Sequence, residues 1–480
     1  MLHSFPKPLA IKSLIAGSLA LTITACDTTT YQVSQNKNNP MNIIMVVADG
    51  MGPVYPTAYR YWQDDVNTDI VETTIFDQMY VGTSSTYPST HKPKLPSEKT
   101  APVSTRNPYV TDSAASATAL ATGFKTYNGA IGVDIDKNPL ETVLERAKSL
   151  GKKTGIAVTS QIVHATPASY IAKNESRRNY NAIADHYFDS KTNEQFKVDV
   201  MFGGGTKYFQ REDRNLVTEF KNAGYQYIDS FQKLNSLVPK KPVLGLFAEV
   251  ALPAKIDASQ PNQLKAMTQA AVKQLENDNG FFLLVEASQV DWGGHSNDVA
   301  YAMGEMADLA ATMEYLNDYV KQHPDTLVVL TADHNTGGMS VATNGKYKWQ
   351  PEFLDNLKMT PKSLAESLIL GPKDQQYIES QLGFSLSESE FNYFSTIKLE
   401  QQAKAAELKL EDSKNNKQLV TRYYNYIKEI IDLRTNTGWT SSGHTGMDVP
   451  VYAVGNNANS FSGYQDNTDI ANKIFGLLDK

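Results

Sequence analysis

The chain has 480 residues, 41% hydrophobic and 10% aromatic, enough for one large α/β domain or two to three smaller ones around a sizeable core. Its formal charge of -7 excludes a protein whose work is gripping a nucleic-acid backbone, because that task needs a basic surface. Any site that handles phosphate must therefore carry its positive charge locally.

The first 25 residues read as a signal peptide. Lys7 and Lys12 give a positive start, and an apolar run over 14–25 follows that is too short to span a bilayer. The run ends in Ile23-Thr24-Ala25-Cys26, which resembles the lipobox of bacterial lipoproteins and implies cleavage that leaves a lipidated Cys26 at the N-terminus. The plainer alternative is an ordinary secretory signal with a chance cysteine. Asp27 resembles an inner-membrane retention signal. Cys26 is the only cysteine, so no intramolecular disulfide can form. Residues 26–40 are polar and aperiodic, and read as a flexible tether. The expected address is exported, at the periplasmic face, with a membrane tether through Cys26.

Five apolar runs follow: 43–48, 155–159, 281–285, 327–331 and 451–454. They are too continuous for half-exposed strands, and helical stretches such as 140–150 lie between them. The pattern predicts an α/β fold whose mostly parallel central sheet is covered by helices on both faces. An alanine-rich stretch over 114–121 reads as helical, with Ser113 just before it, so the serine hydroxyl should lie at a helix N-terminus. Residues 346–437 turn polar and charged and read as a helical insertion. Thr360-Pro361 fits an N-cap with proline in the first turn, Gly371 fits the far end, and longer helices are expected over 398–411 and 417–434. None of its polar residues resembles a metal site; a lid or a subunit contact is the expected role. The main folded domain is placed at 41–480.

Several runs end in chemistry. The first leads into Asp49, the third delivers Glu286, the fourth stops just before Asp333-His334, and His164-Ala165-Thr166 follows the second. Ligands of open parallel sheets bind beyond the carboxyl ends of the strands, so these residues should share one rim. A lone carboxylate at a strand end is commonly structural, but the set suggests a metal site. Four of the eight histidines, His164, His295, His334 and His444, sit among acids or glycines.

Val110-Thr111-Asp112-Ser113-Ala114-Ala115-Ser116-Ala117-Thr118 resembles the active-site signature of the alkaline phosphatase family. The same family is echoed, in order, by Asp49-Gly50-Met51-Gly52, His164-Ala165-Thr166-Pro167, the EASQVDWGGH stretch from Glu286 to His295, Thr331-Ala332-Asp333-His334 and Gly443-His444-Thr445-Gly446. The resemblance implies hydrolysis of phosphate monoesters through a phosphoserine on Ser113, with two Zn2+ and one Mg2+. Asp291, His295 and His444 would hold the first zinc, and Asp49, Asp333 and His334 the second. Asp49 would bridge to magnesium with Thr166 and Glu286. Imidazole-rich sets suit zinc and an all-oxygen set suits magnesium. By itself an Asp-Ser pair before a helix is only an N-cap. The resemblance also puts Arg177, rather than the adjacent Arg178, at the phosphate-binding position, and it implies a homodimer.

Two positions depart from the best-known bacterial pattern: His164 replaces an aspartate and Trp292 a lysine. Histidine at the third position admits zinc or cobalt there, and tryptophan removes a cation beside the phosphate. His3 goes with the signal, while His91, His186 and His323 read as surface residues. Small phosphate monoesters are the implied substrates, with no nucleic-acid partner. A sulfatase of the same superfamily fails for want of a Cys-x-Pro-x-Arg type motif. A phosphodiesterase of the superfamily, usually with a threonine nucleophile, and a catalytically silent phosphate-binding lipoprotein remain as alternatives.

Overall fold

The computed structural model describes residues 41–89, 108–371 and 373–479. The signal segment, Cys26, the tether, His3 and His91 lie outside the described residues. Among the described residues ten strands form the central sheet: β1 (Asn42–Ala48), β2 (Tyr80–Ser85), β3 (Lys153–Gln161), β4 (Val200–Gly204), β5 (Gln226–Ile228), β6 (Val243–Leu246), β7 (Phe281–Ala287), β8 (Thr326–Thr331), β9 (Val449–Gly455) and β10 (Gly463–Asp466). Their order is β10-β2-β9-β8-β1-β7-β3-β4-β6-β5.

The alternation of side chains along a strand explains the continuous apolar runs. In β1, Ile43, Met45 and Val47 enter one core, and Ile44, Val46 and Ala48 enter the core on the other face. Phe282 and Leu284 of β7 join the first core, while Phe281, Leu283 and Val285 join the second. A strand buried on both sides has no polar alternation to show.

β1 is therefore central, paired in parallel with β8 on one side and β7 on the other. β7 pairs in parallel with β3. The four strands β8, β1, β7 and β3 thus lie side by side and point their carboxyl ends the same way. This arrangement brings Asp49, Glu286, Asp333, His334 and the segment after β3 to a common rim.

The fifth apolar run differs from a parallel strand: β9 is antiparallel to both β8 and β2, with Val451 opposite Thr331. Its direction follows from the rim. His444 and Thr445 pair with Thr336 and Asn335 just past the end of β8, so the chain enters β9 from the rim and must run away from it.

The 346–437 segment holds four helices, Pro361–Ile369, Gln375–Leu382, Glu388–Leu408 and Asp412–Thr435. Thr360 caps the first, accepting from the Ser363 N–H, with Pro361 at the first turn. The segment is built into the body. Leu364, Ile378, Phe394, Tyr423, Ile427, Ile430 and Ile431 belong to the same core as β1 and β7. Its charged sequence hides an apolar stripe at helical spacing.

Ile427→Ala should therefore cost about 2–4 kcal/mol, as cavity-forming substitutions of a fully buried side chain do. Calorimetry should show one thermal transition shifted down by a few degrees. A separate early transition, with the main one unmoved, would show that this segment folds on its own.

Candidate metal and phosphate site

Asp49 follows β1 and is fully buried, and neither of its carboxylate oxygens has a hydrogen-bond partner. Oδ2 of Asp333 and Oε1 of Glu286 are also unpartnered. Orphaned buried carboxylate oxygens are costly unless a cation offsets them. Burial, with Asp333, Asp291 and Glu286 adding like charge, holds the Asp49 carboxyl well above the usual range. Burial pushes Glu286 up to about 7, against the hydroxyls of Ser288 and Thr166, which favour its charged form. Asp333 is likewise raised by burial, although its Oδ1 accepts the N–H groups of Gly50 and His334.

The imidazoles carry the decisive geometry. His295 Nδ1 donates to the carbonyl of Ser442 at 2.7 Å, and His444 Nδ1 donates to that of Thr111 at 2.8 Å. A carbonyl only accepts, so each Nδ1 keeps its hydrogen and a neutral ring turns a bare Nε2 inward. These two Nε2 atoms face each other at 3.1 Å, with Asp291 oxygens 3.4 and 3.7 Å away. Donors bound ~2 Å from one tetrahedral zinc ion stand about 3.3 Å apart, so the three residues have the spacing of a metal set.

His334 repeats the pattern. Its Nδ1 donates to Thr336 Oγ1 at 3.2 Å, and that hydroxyl donates to Asp291 Oδ1 at 2.5 Å. His334 Nε2 then faces Ser113 Oγ at 3.1 Å, Asp333 Oδ2 at 3.2 Å and Asp49 Oδ1 at 3.5 Å. Burial, then His444, depresses the His334 pKa well below its ordinary value. Three groups offer ligand atoms within 4.8 Å of one another: Asp291, His295 and His444; Asp49, Asp291 and His334; and Asp49, His164 and Glu286. Asp291 thus reaches both of the first two groups, and His164 stands where the third group needs a donor. Thr166 is fully buried in the short helix Ala165–Ile171, which His164 immediately precedes.

Ser113 opens the Ser113–Thr122 helix and is 2% exposed. Asp112 caps that helix, accepting from the Ala115 N–H at 3.0 Å, and also accepts from Arg177 Nη1 at 3.1 Å. Arg177 Nη2 lies 3.2 Å from His164 Nε2, while Arg178 is exposed. Burial, then Arg177, lowers the His164 pKa to about 3 and keeps the ring neutral. The half-buried Trp292 meets His164 edge to face, ring centroids 6.1 Å apart. Ser113 Oγ thus stands beside His334, and the adjacent Asp112 ties Arg177 to the same helix start.

A family model for alkaline phosphatase matches residues 40–479. The chain belongs to the alkaline phosphatase family. It is 42% identical to alkaline phosphatase 3 of Bacillus subtilis, over 99% of this chain and 98% of that one. With the alkaline phosphatase of Escherichia coli it shares 31% identity over 68% of this chain and 76% of that one. The crystal structure of a cold-active alkaline phosphatase from a psychrophilic Shewanella species is 45% identical. It superposes with a TM-score of 0.80, covering 92% of this chain and 100% of that one. The protein is thus an alkaline phosphatase, a hydrolase of small phosphate monoesters with groups of candidate metal ligands.

In this alkaline phosphatase two residues at the site went unmarked in the sequence. Asp112 reads there only as a helix cap, and its hold on Arg177, 65 residues away, is a tertiary fact. Thr336 links His334 to Asp291 through a single hydroxyl, and its only sequence signal is that it lies two residues after His334. His186 differs from its surface reading: it is half-buried beside Lys197, and burial lowers its pKa to about 4. His323 is partly buried too, stacked on Tyr319 with ring centroids 4.1 Å apart.

Gly50 allows this crowding. Its φ is +75°, and an added Cβ would stand 2.6 Å from Asp291 Cα and 2.8 Å from Thr336 Oγ1. Gly50→Ala should displace Asp291, lower the metal content of the purified protein and destabilise it by about 1 kcal/mol or more. Metal analysis and thermal melting check both effects; a variant with wild-type metal content and stability would contradict the geometry.

Proposed function

We propose that the protein hydrolyses phosphate monoesters in two steps through a phosphoseryl intermediate on Ser113. In this reading Asp291, His295 and His444 hold one zinc ion, and Asp49, Asp333 and His334 hold a second. Asp49, Thr166 and Glu286, with His164 beside them, hold the third ion, magnesium or, because of His164, zinc or cobalt. The observation that supports it best is the Ser113 hydroxyl 3.1 Å from a bare His334 Nε2, beside buried carboxylate oxygens that lack a hydrogen-bond partner. When bound, the ions supply the positive charge that offsets a dianionic phosphate and stabilises the attacking and leaving oxygens.

The chain's own groups do the rest. Ser113 Oγ gives up its proton and attacks phosphorus, the O–P bond of the ester breaks, the ester oxygen takes up the proton and departs as an alcohol, and the phosphate is left on serine. Water then attacks phosphorus, the Oγ–P bond breaks, Ser113 regains its proton and inorganic phosphate leaves. The free N–H groups of the first helical turn face the anion. Arg177, tethered by Asp112, keeps further N–H donors for two phosphate oxygens. Trp292 adds an indole N–H and apolar bulk where a lysine would add charge, so phosphate is held less tightly than by the lysine-bearing pattern.

Among the described residues no helix is long and apolar enough to cross a membrane. The anchor we propose is the lipid on Cys26, with the enzyme tethered at the periplasmic face.

Ser113→Ala should retain its metal ions and lose both turnover and covalent labelling by phosphate, as mass spectrometry of acid-quenched enzyme would show. Near-wild-type turnover with label on another residue would refute the assignment. Cys26→Ser should move the enzyme from the membrane to the soluble exported fraction with turnover unchanged. A wild-type enzyme found wholly in the soluble fraction would refute the anchor.

A further inference from the structure

A polar cluster outside the ligand sets lies where the Asp412–Thr435 helix meets the two loops that carry His295 and His444. Tyr424, Lys428 and Asp432 are four residues apart and so share one helix face. Lys428 Nζ donates to the carbonyl of Ser296, the residue after His295, at 2.5 Å. The Tyr424 hydroxyl donates to Asp298 Oδ2 at 3.0 Å. Asp298, 2% exposed, also caps the Val299–Gln322 helix through the Tyr301 N–H at 2.9 Å. One side of this face therefore grips the turn that leaves His295.

The other side grips the second loop. Asp432 Oδ1 accepts from Trp439 Nε1 at 3.3 Å. The Trp439 ring lies against Gly337, where a Cβ would stand 2.8 Å from the indole carbons. The N–H groups of Thr440 and Ser441 donate to the Gly337 carbonyl at 3.2 and 3.1 Å, and the Gly337 N–H donates to Gly443 at 3.0 Å. From this loop the Ser442 carbonyl accepts His295 Nδ1, and His444 follows two residues later. The buried Ile427, Ile430 and Ile431 anchor the helix itself in the core.

We propose that this helix is a brace that fixes His295 and His444 relative to each other, with Tyr424, Lys428 and Asp432 as positioning residues. The 346–437 segment then sets how tightly the Asp291, His295 and His444 set holds its ion. The inference rests on reading those three residues as a metal set. Supports of this kind, which orient ligands without touching the metal, are commonly worth 10- to 100-fold in affinity.

The test follows metal ions per chain over time in a chelator, using the metal-loaded enzyme. Lys428→Met keeps the aliphatic stem but loses the bond to Ser296. Trp439→Phe keeps an aromatic ring but loses the bond to Asp432 and indole carbons that lie against Gly337. Both should release one ion of the complement about 10-fold faster or more, while the remaining ions leave at the wild-type rate. Lys428→Arg should restore retention. Wild-type retention in both Lys428→Met and Trp439→Phe, or equal acceleration of every ion, would overturn the brace. A wild-type enzyme with no ion to lose would instead overturn the underlying metal reading, and the two failures are distinguishable.

Discussion

A cluster of buried carboxylates at one rim of the sheet, several of whose oxygens lack a hydrogen-bond partner, is the constraint on which the site depends. Asp49, Glu286, Asp291 and Asp333 are all nearly or fully buried there, joined by three imidazoles whose Nε2 atoms point inward. The guanidinium of Arg177 is the cation whose charge reaches Asp49, and its Nη1 is already committed to Asp112. Carboxylates this deep persist as anions only when paired, and otherwise take up protons. In the proposed account divalent ions satisfy the demand. The same charge then neutralises a phosphate dianion, which an acidic protein could not otherwise attract.

The fold turns that constraint into a defined geometry. Four adjacent parallel strands place their carboxyl ends together, so candidate ligands from residues 49 to 334 meet without a long loop having to hold them. Backbone carbonyls of Thr111 and Ser442 set the histidine tautomers, and Thr336 ties the neighbouring ligands. Each of these supports hydrogen-bonds to a ligand side chain. Asp112 serves in a comparable way beside Ser113, capping its helix and holding Arg177 with one carboxylate.

Much of this was legible from residues alone, for physical reasons. Strands buried on both faces leave continuous apolar runs, which is why β1, β3, β7 and β8 stand out, and their ends pointed to Asp49, Glu286, Asp333 and His334. The strands β2, β4, β5, β6 and β10 were not legible. They are three to six residues long, several carry glycine, and their pairing depends on neighbours far away in the chain. The direction of β9 was equally hidden, since an apolar run has no polarity; only the placement of His444 at the rim determines it. The packing of residues 346–437 into the core was masked by their charge, although Leu419, Tyr423, Ile427 and Ile431 recur at helical spacing. Asp112 and Thr336 escaped because their roles consist of hydrogen bonds to particular partners, which residue type and spacing do not encode.

The central claim is that the facing Nε2 atoms of His295 and His444, and the separate group around His334, are built to hold metal ions. Anomalous diffraction at the zinc edge, from crystals of enzyme purified without chelator, tests it most directly. The account predicts one peak enclosed by Asp291, His295 and His444, and another beside His334 within reach of Ser113 Oγ. A fully active enzyme whose crystals show neither peak, with the histidine rings bonded to each other through a proton, would contradict it.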